Sequence, residues 1–316
     1  MTSTLRQFPP IFKRLDSSKN KFVQHFIRLR ENKQYRTEQN AVVVQGLKTI
    51  HELRQDGVPI HSLAVTAEKQ PPSESMIHTP TLQVLQNPNA FGAKHNYLVD
   101  HSLTRRILGT ASRPGRHEVF AEIPIPPHSL PPKEDIDRLV VFNHIMDPGN
   151  LGNLVRTGKA LGWGSGVVVT GGTCDLYNDK TIRASRALTL RWNFQEVDSI
   201  SGLMALLTSY DMTPLVADMM PVGDKVGDDL WSPMMGDTYT GGQTVGSGPW
   251  LWNFGNKERK LPKRPALILS SEHCGVQGLE DQIRISVPMA PGVESLNVAS
   301  AGGLLMNELN RLIKYS

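Results

Sequence analysis

Apolar side chains fall into distinct patterns along this chain, and each predicts a different element. From residue 20, Phe22, Val23, Phe26, Ile27 and Leu29 recur at helical spacing, so a helix with one apolar face is expected. Ala41 to Val44 is a mostly β-branched run closed by Gly46, which reads as a strand, and a second helix follows to about residue 56. Strand-like or mixed segments at His61–Thr66, Thr81–Leu85 and Tyr97–Val99 continue an alternating α/β module ending near residue 123.

Residues 123–133 read IPIPPHSLPPK. Repeated proline favours an extended, semi-rigid connector, so the expected division is an N-terminal domain over 1–123, a linker over 124–135 and a second domain over 136–316. Within the second domain Leu139–Phe142, Gly166–Thr170, Ala266–Leu269 and Ile283–Val287 read as strands. Leu139–Phe142 is continuously apolar, as a strand buried on both faces is. With helices at Leu151–Leu161 and Leu296–Ile313, the alternation predicts α/β architecture around a mostly parallel sheet. Residues 221–265 are rich in Gly, Pro and Trp without periodicity and are expected to form a surface insertion.

Composition changes this picture in three places. The first 60 residues hold 11 Lys and Arg against 5 Asp and Glu, a net of +6, which leaves the other 256 residues at −2. Positive charge concentrated there would attract a phosphate backbone through counterion release, with Arg30, Lys33 and Arg36 the candidate backbone contacts; a solvated basic helix face is the competing reading. The first 15 residues carry Arg6, Lys13 and Arg14 without an acid, which is compatible with a short organellar transit peptide, so the first ~18 residues are expected to be flexible or targeting. Cys174 and Cys274 stand alone, which excludes a zinc ribbon and leaves two reduced thiols. No apolar run approaches the roughly 18 residues of a membrane span, so neither a membrane nor a metal partner is expected.

Three segments of the second domain carry candidate chemistry. Residues 143–157, NHIMDPGNLGNLVRT, pass from a strand through a Pro-Gly turn into a helix whose start offers free N–H groups. Arg156 follows Asn150 by six residues, where it can grip a phosphate or serve only as a surface ion-pair partner. Residues 266–279, ALILSSEHCGVQGL, run from a strand into a small-residue loop holding Glu272 and Gly275, either a ligand-approach loop or a plain turn. Residues 285–299, ISVPMAPGVESLNVA, end in Ser295 and Asn297 at the head of the last helix, as caps or as a site.

In this order, these segments resemble the three sequence motifs of the SpoU (SPOUT-type) RNA ribose methyltransferases. PGNLGNLVRT matches the first, SSEHCG stands where the second usually reads G-N-E-x-x-G, and VPMAPGVESLNVA matches the third. More loosely, residues 29–53 resemble that family's substrate-binding domain of the ribosomal-protein type, with Gln45 where a glutamate is usual. The resemblance implies a deep trefoil knot in the C-terminal domain, against the general rule that chains do not knot. It also implies a homodimer, S-adenosyl-L-methionine as methyl donor, and an RNA substrate, ribosomal more than transfer RNA. By positional match the donor would lie on Ser270, Gly275, Val287 and Leu296, and the acceptor site would comprise Asn150, Arg156, Glu272, Ser295 and Asn297. The mitochondrial rRNA branch is the nearest in form, with the cytoplasm as the other location. Ser270-Ser271 departs from the motif, so a non-catalytic RNA-binding or ribosome-assembly relative stands as the alternative. A dinucleotide-binding oxidoreductase is excluded, because Gly162, Gly164 and Gly166 lie between a helix and a strand and complete no G-x-G-x-x-G.

Overall fold

The structure is a computed structural model, which describes residues 7–71, 79–218, 250–251, 262–271, 277–287, 293 and 295–315. Its contacts form two compact units: Met1–Pro127 together with Tyr177–Arg191, and His128–Leu176 together with Trp192–Ser316.

The first unit is a five-stranded sheet with helices. In chain order it comprises β1 (Phe12–Leu15), α1 (Lys21–Glu31), α2 (Lys33–Gln39), β2 (Ala41–Gln45), α3 (Leu47–Gln55), β3 (Ser62–Thr66), α4 (Pro80–Gln86), β4 (His95–Val99), α5 (His101–Leu108) and β5 (Val119–Pro124). The sheet order is β1-β4-β3-β5-β2, parallel from β1 to β3 and antiparallel on either side of β5. Asn20 caps α1 by accepting from the Phe22 amide, and Val23, Phe26 and Leu29 bury one face of the helix. Two sequence expectations are corrected here. Thr81–Leu85 is helical, because the Thr79 hydroxyl accepts from the Leu82 amide and Pro80 occupies the first helical turn. Phe12–Leu15, expected within a flexible leader, is an edge strand in register with Asn96–Val99.

Inside this unit a carboxylate is held among imidazoles. Glu122 on β5 accepts from the Ser62 hydroxyl at 2.6 Å and lies 3.2 Å from His25 Nε2 and 3.9 Å from His61 Nδ1. Burial pushes its pKa up, but the hydrogen bonds from His25 and Ser62, with the charge of both imidazoles, outweigh that and hold the carboxyl below its ordinary value.

The second unit carries β6 (Leu139–Asn143), α6 (Pro148–Ala160), β7 (Ser165–Val169), β8 (Asn193–Val197), α8 (Ile200–Ser209), β9 (Thr213–Ala217), β10 (Trp250–Leu251), β11 (Pro265–Ser270), β12 (Ile283–Ile285) and α9 (Val298–Tyr315). Between β7 and β8, α7 (Asp179–Ser185) belongs with the first unit. The seven strands are all parallel, in the order β10-β12-β9-β11-β6-β7-β8. Every residue of β6 and β7 is buried, as strands covered on both faces require. One face packs Leu139, Val141, Val167 and Ile268 against Leu203 and Leu207 of α8. On the other, α9 lies against α6 and β11, and the approach is close: a Cβ on Gly302 would stand 2.6 Å from Leu154 Cδ2 and 2.7 Å from Leu269 Cδ1. Of the expected insertion at 221–265, only residues 250–251 and 262–265 are described, and Trp250–Leu251 extends the sheet beside β12.

Candidate functional site

Because the strands of the second unit run parallel, their carboxyl ends lie along one edge, where ligands of open α/β sheets bind. A cavity of about 420 Å³ opens there, lined by the segments that follow β6, β9, β11 and β12 and by the head of α9. Pockets for ligands of nucleoside size span roughly 300–1,000 Å³.

Six of the expected site residues line this cavity: Asn150, Ser270, Val287, Ser295, Leu296 and Asn297. Their positions follow from local rules. Asp147 caps α6, its Oδ1 accepting from the Asn150 amide at 2.8 Å, with Pro148 in the first turn, so the Asn150 side chain starts from a fixed backbone. Asn297 Oδ1 accepts from the Ala299 amide at 2.9 Å at the start of α9, and its Nδ2 donates to Asn150 Oδ1 at 3.1 Å. Asn297 therefore caps α9 and lines the cavity. Ser270, the departure from the second motif, receives a hydrogen bond on its Oγ from Asn143 Nδ2 at 3.1 Å across the β6–β11 register. Its side chain is engaged by a buried strand-end amide, and the cavity persists beside it.

Arg156 is placed differently. It is exposed on α6, does not line the cavity, and has no side-chain partner among the described residues. Six helical residues carry it about 9 Å along the axis from Asn150 and roughly 120° around it. Glu272 and Gly275 lie outside the described residues. Of the basic candidates, Lys33 is exposed and Arg30 half-buried, whereas Arg36 is only 4% exposed and donates through Nη1 to the carbonyls of Leu29 and Arg30 at 2.9 and 2.8 Å. Arg36 satisfies the carbonyls at the end of α1, so the reading of Arg36 as an RNA contact is corrected.

Sequence reasoning missed Asp147 and Asp218 as lining residues. Asp147 was legible from the D-P-G start of α6. Asp218 follows β9, and its carboxylate lies 3.4 Å from the guanidinium of Arg284, whose side chain is fully buried. Among the described lining residues there are two carboxylates and neither Lys nor Arg; Asp218 is offset by the Arg284 guanidinium, which leaves Asp147 as the carboxylate that favours a ligand carrying positive charge. Among the described residues no group of three or more His, Cys, Asp and Glu is placed to hold a metal ion, and no helix is long and apolar enough to cross a membrane.

Fold and site together define a class: a parallel α/β unit whose ligand cavity lies at the carboxyl edge of its sheet, reached by the head of its last helix. The chain belongs to the SpoU rRNA Methylase family, whose profile matches residues 137–307, more than half of its length. It is 24% identical over 301 residues to the 23S rRNA (guanosine(2553)-2′-O)-methyltransferase RlmP of Bacillus subtilis, covering 94% of this chain and 99% of that one. Human mitochondrial rRNA methyltransferase 3 is 26% identical over 215 residues, 59% of this chain and 48% of the relative. Among solved structures, the SpoU methyltransferase AviRb of Streptomyces viridochromogenes, in complex with the cofactor AdoMet, superposes with a TM-score of 0.66 at 21% identity, over 93% of this chain and 98% of that one.

Proposed function

We propose that this chain transfers the methyl group of S-adenosyl-L-methionine to a ribose 2′-hydroxyl of ribosomal RNA. The observation that carries the reading is the meeting of three segments distant in sequence, around Asn150, Ser270 and Ser295–Asn297, on one cavity. Family membership and the full-length likeness to an rRNA 2′-O-methyltransferase support it. The donor fits the residues present. When bound it supplies an electrophilic methyl on a sulfonium, and Asp147 gives the cavity the complementary sign.

Ser270, Val287 and Leu296, with Gly275, would hold the donor. Asn150, Ser295 and Asn297 would orient the ribose, since alignment of nucleophile and methyl is the main demand of a direct displacement. Arg156 is always protonated, so its role would be to stabilise the developing alkoxide and grip the adjacent phosphate, with Glu272 orienting either it or Asn150. The knotted passage of the C-terminal segment and a ribosomal-protein-like, RNA-binding first unit belong to the same reading. A homodimer is supported by the exposed apolar side chains of Met146 and Leu296 at the cavity and Leu304 on α9, which a second copy would cover. A mitochondrial location rests on the human and zebrafish relatives; imaging the tagged full-length chain decides between it and the cytoplasm.

The test is incubation of the full chain with methyl-labelled donor and ribosomal RNA, followed by digestion to nucleosides. Label in 2′-O-methylnucleosides is expected. Label on a base, or RNA retention and donor binding without any transfer, would overturn the reading in favour of another methylase or a non-catalytic assembly factor.

A further inference from the structure

We propose that the first unit carries a pocket for a backbone phosphate of the RNA substrate, built by Arg30, Arg183 and Arg186. The proposal deepens the reading of RNA as substrate and rests on it. A cavity of about 260 Å³ lies wholly among residues of this unit, and these three guanidinium-bearing side chains line it with Asp179, Gln45 and Thr49. Three arginines against one aspartate leave the lining at a net +2. Planar guanidinium forks match phosphate oxygens in pairs.

Each arginine is held in place by a different device. Arg30 is the last residue but one of α1, where its carbonyl accepts from Arg36 Nη1 at 2.8 Å, and its side chain, ion-paired with the exposed Glu31, lies over Gly109, where a Cβ would stand 2.1 Å from its Nη1. Arg183 is ion-paired one helical turn away with Asp179. Arg186 has no side-chain partner among the described residues, and it sits in the left-handed region at φ 53°, followed by Ala187 at φ 57°. Two consecutive non-glycine residues in that region cost folding free energy, and glycine would be the favoured residue after α7. The turn is anchored by the Arg186 and Ala187 amides, which donate to the carbonyls of Arg183 and Ile182 at 3.1 and 2.7 Å. A strained backbone that presents an unpaired guanidinium to a basic cavity is the signature of a binding position. Gln45 adds no charge, its amide being turned to Glu118 Oε2 at 2.8 Å.

The experiment measures binding of the full chain to a 20-nucleotide oligouridine by fluorescence anisotropy between 50 and 200 mM KCl, for the wild type, Arg186→Gly and Arg186→Lys. Arg186→Gly is expected to weaken binding about 5–10-fold and to flatten the slope of log affinity against log salt by about 0.7, the share of one single-strand phosphate. Its Tm should stay level or rise, because glycine removes the left-handed strain. Arg186→Lys should keep the salt slope, and inorganic phosphate should compete with oligouridine more strongly on the wild type than on Arg186→Gly. An unchanged affinity and slope in folded Arg186→Gly overturns the proposal, as does binding of inorganic phosphate that leaves oligouridine binding untouched, which would make the pocket a small-anion site. Calorimetric titration of S-adenosyl-L-methionine into the same samples separates the two readings. Failure of the donor to bind would strike the methyl-transfer reading and leave the phosphate result standing.

Discussion

Asn297 donates through Nδ2 to Oδ1 of Asn150 at 3.1 Å, across 147 positions of sequence. Each amide is also tied to its own helix start, Asn150 through Asp147 and Asn297 through the Ala299 amide. The pair therefore joins the heads of α6 and α9 at the cavity, and neither side chain can be moved without releasing the other.

That linkage predicts non-additivity. Asn150→Ala and Asn297→Ala should each reduce kcat/KM for methyl transfer, and the double variant should lose less than their sum by about 0.5–3 kcal/mol. Steady-state rates for the four proteins measure the coupling. Strict additivity would mean that the hydrogen bond has no bearing on catalysis.

Arg156→Ala should slow transfer by the equivalent of about 2.7–4 kcal/mol, the scale for removing one preorganised charge-stabilising donor. Since Arg156 is exposed and does not line the cavity, donor affinity and Tm should be unchanged. A fall in donor affinity of the same size would place the guanidinium in the donor site instead.

Asp218→Ala removes the carboxylate beside a fully buried guanidinium. With the Asp218 contact at 3.4 Å gone, Arg284 keeps the Glu280 carbonyl at 3.1 Å. Breaking such a buried pair typically costs about 3–5 kcal/mol. Urea unfolding reads the loss. A variant as stable as the wild type would show that Arg284 is compensated elsewhere.

Gly302→Ala should destabilise the second unit by about 1–3 kcal/mol, because the added methyl meets Leu154 and Leu269 at 2.6 and 2.7 Å in a packed interface. Scanning calorimetry gives the shift. Gly303→Ala, whose nearest neighbour would be at 3.5 Å, is the control and should be nearly silent.

The Glu122 cluster predicts a pH dependence with a definite sign. The carboxyl titrates lower in the folded protein than in the unfolded chain, so its stabilisation is complete above the ordinary glutamate range and is lost as pH falls through the depressed value. Thermal melts of the wild type and Glu122→Gln should differ most near neutrality and converge in acid. A difference that grows on acidification would reverse the assignment.

Much of the site was legible because its residues sit beside punctuation the chain cannot hide. D-P-G starts α6, apolar β11 ends in serines, and Ser-Leu-Asn opens α9, so the motif positions and the cavity lining coincide at Asn150, Ser270 and Asn297. Asp218 gave no such signal, since β9 begins Thr-Pro and only its pairing with β11 and β12 makes it a strand. Thr81–Leu85 was misread because its β-branched residues outweighed a cap and a proline that settle the helix. Composition reports the sign of Arg36 and not its direction, and only the carbonyls at the end of α1 explain its burial. The association of Tyr177–Arg191 with the first unit is tertiary and leaves no local trace.

The placement of β11 bears on how this chain is made. It is hydrogen-bonded between β9 and β6, yet Ser270 is translated 127 residues after its partner Asn143. On the ribosome, β6 and β7 emerge early with one apolar edge unpaired, and that edge stays a template for unwanted strand addition until the late strand arrives. Folding of the second unit should therefore be slow and sensitive to truncation anywhere before residue 270.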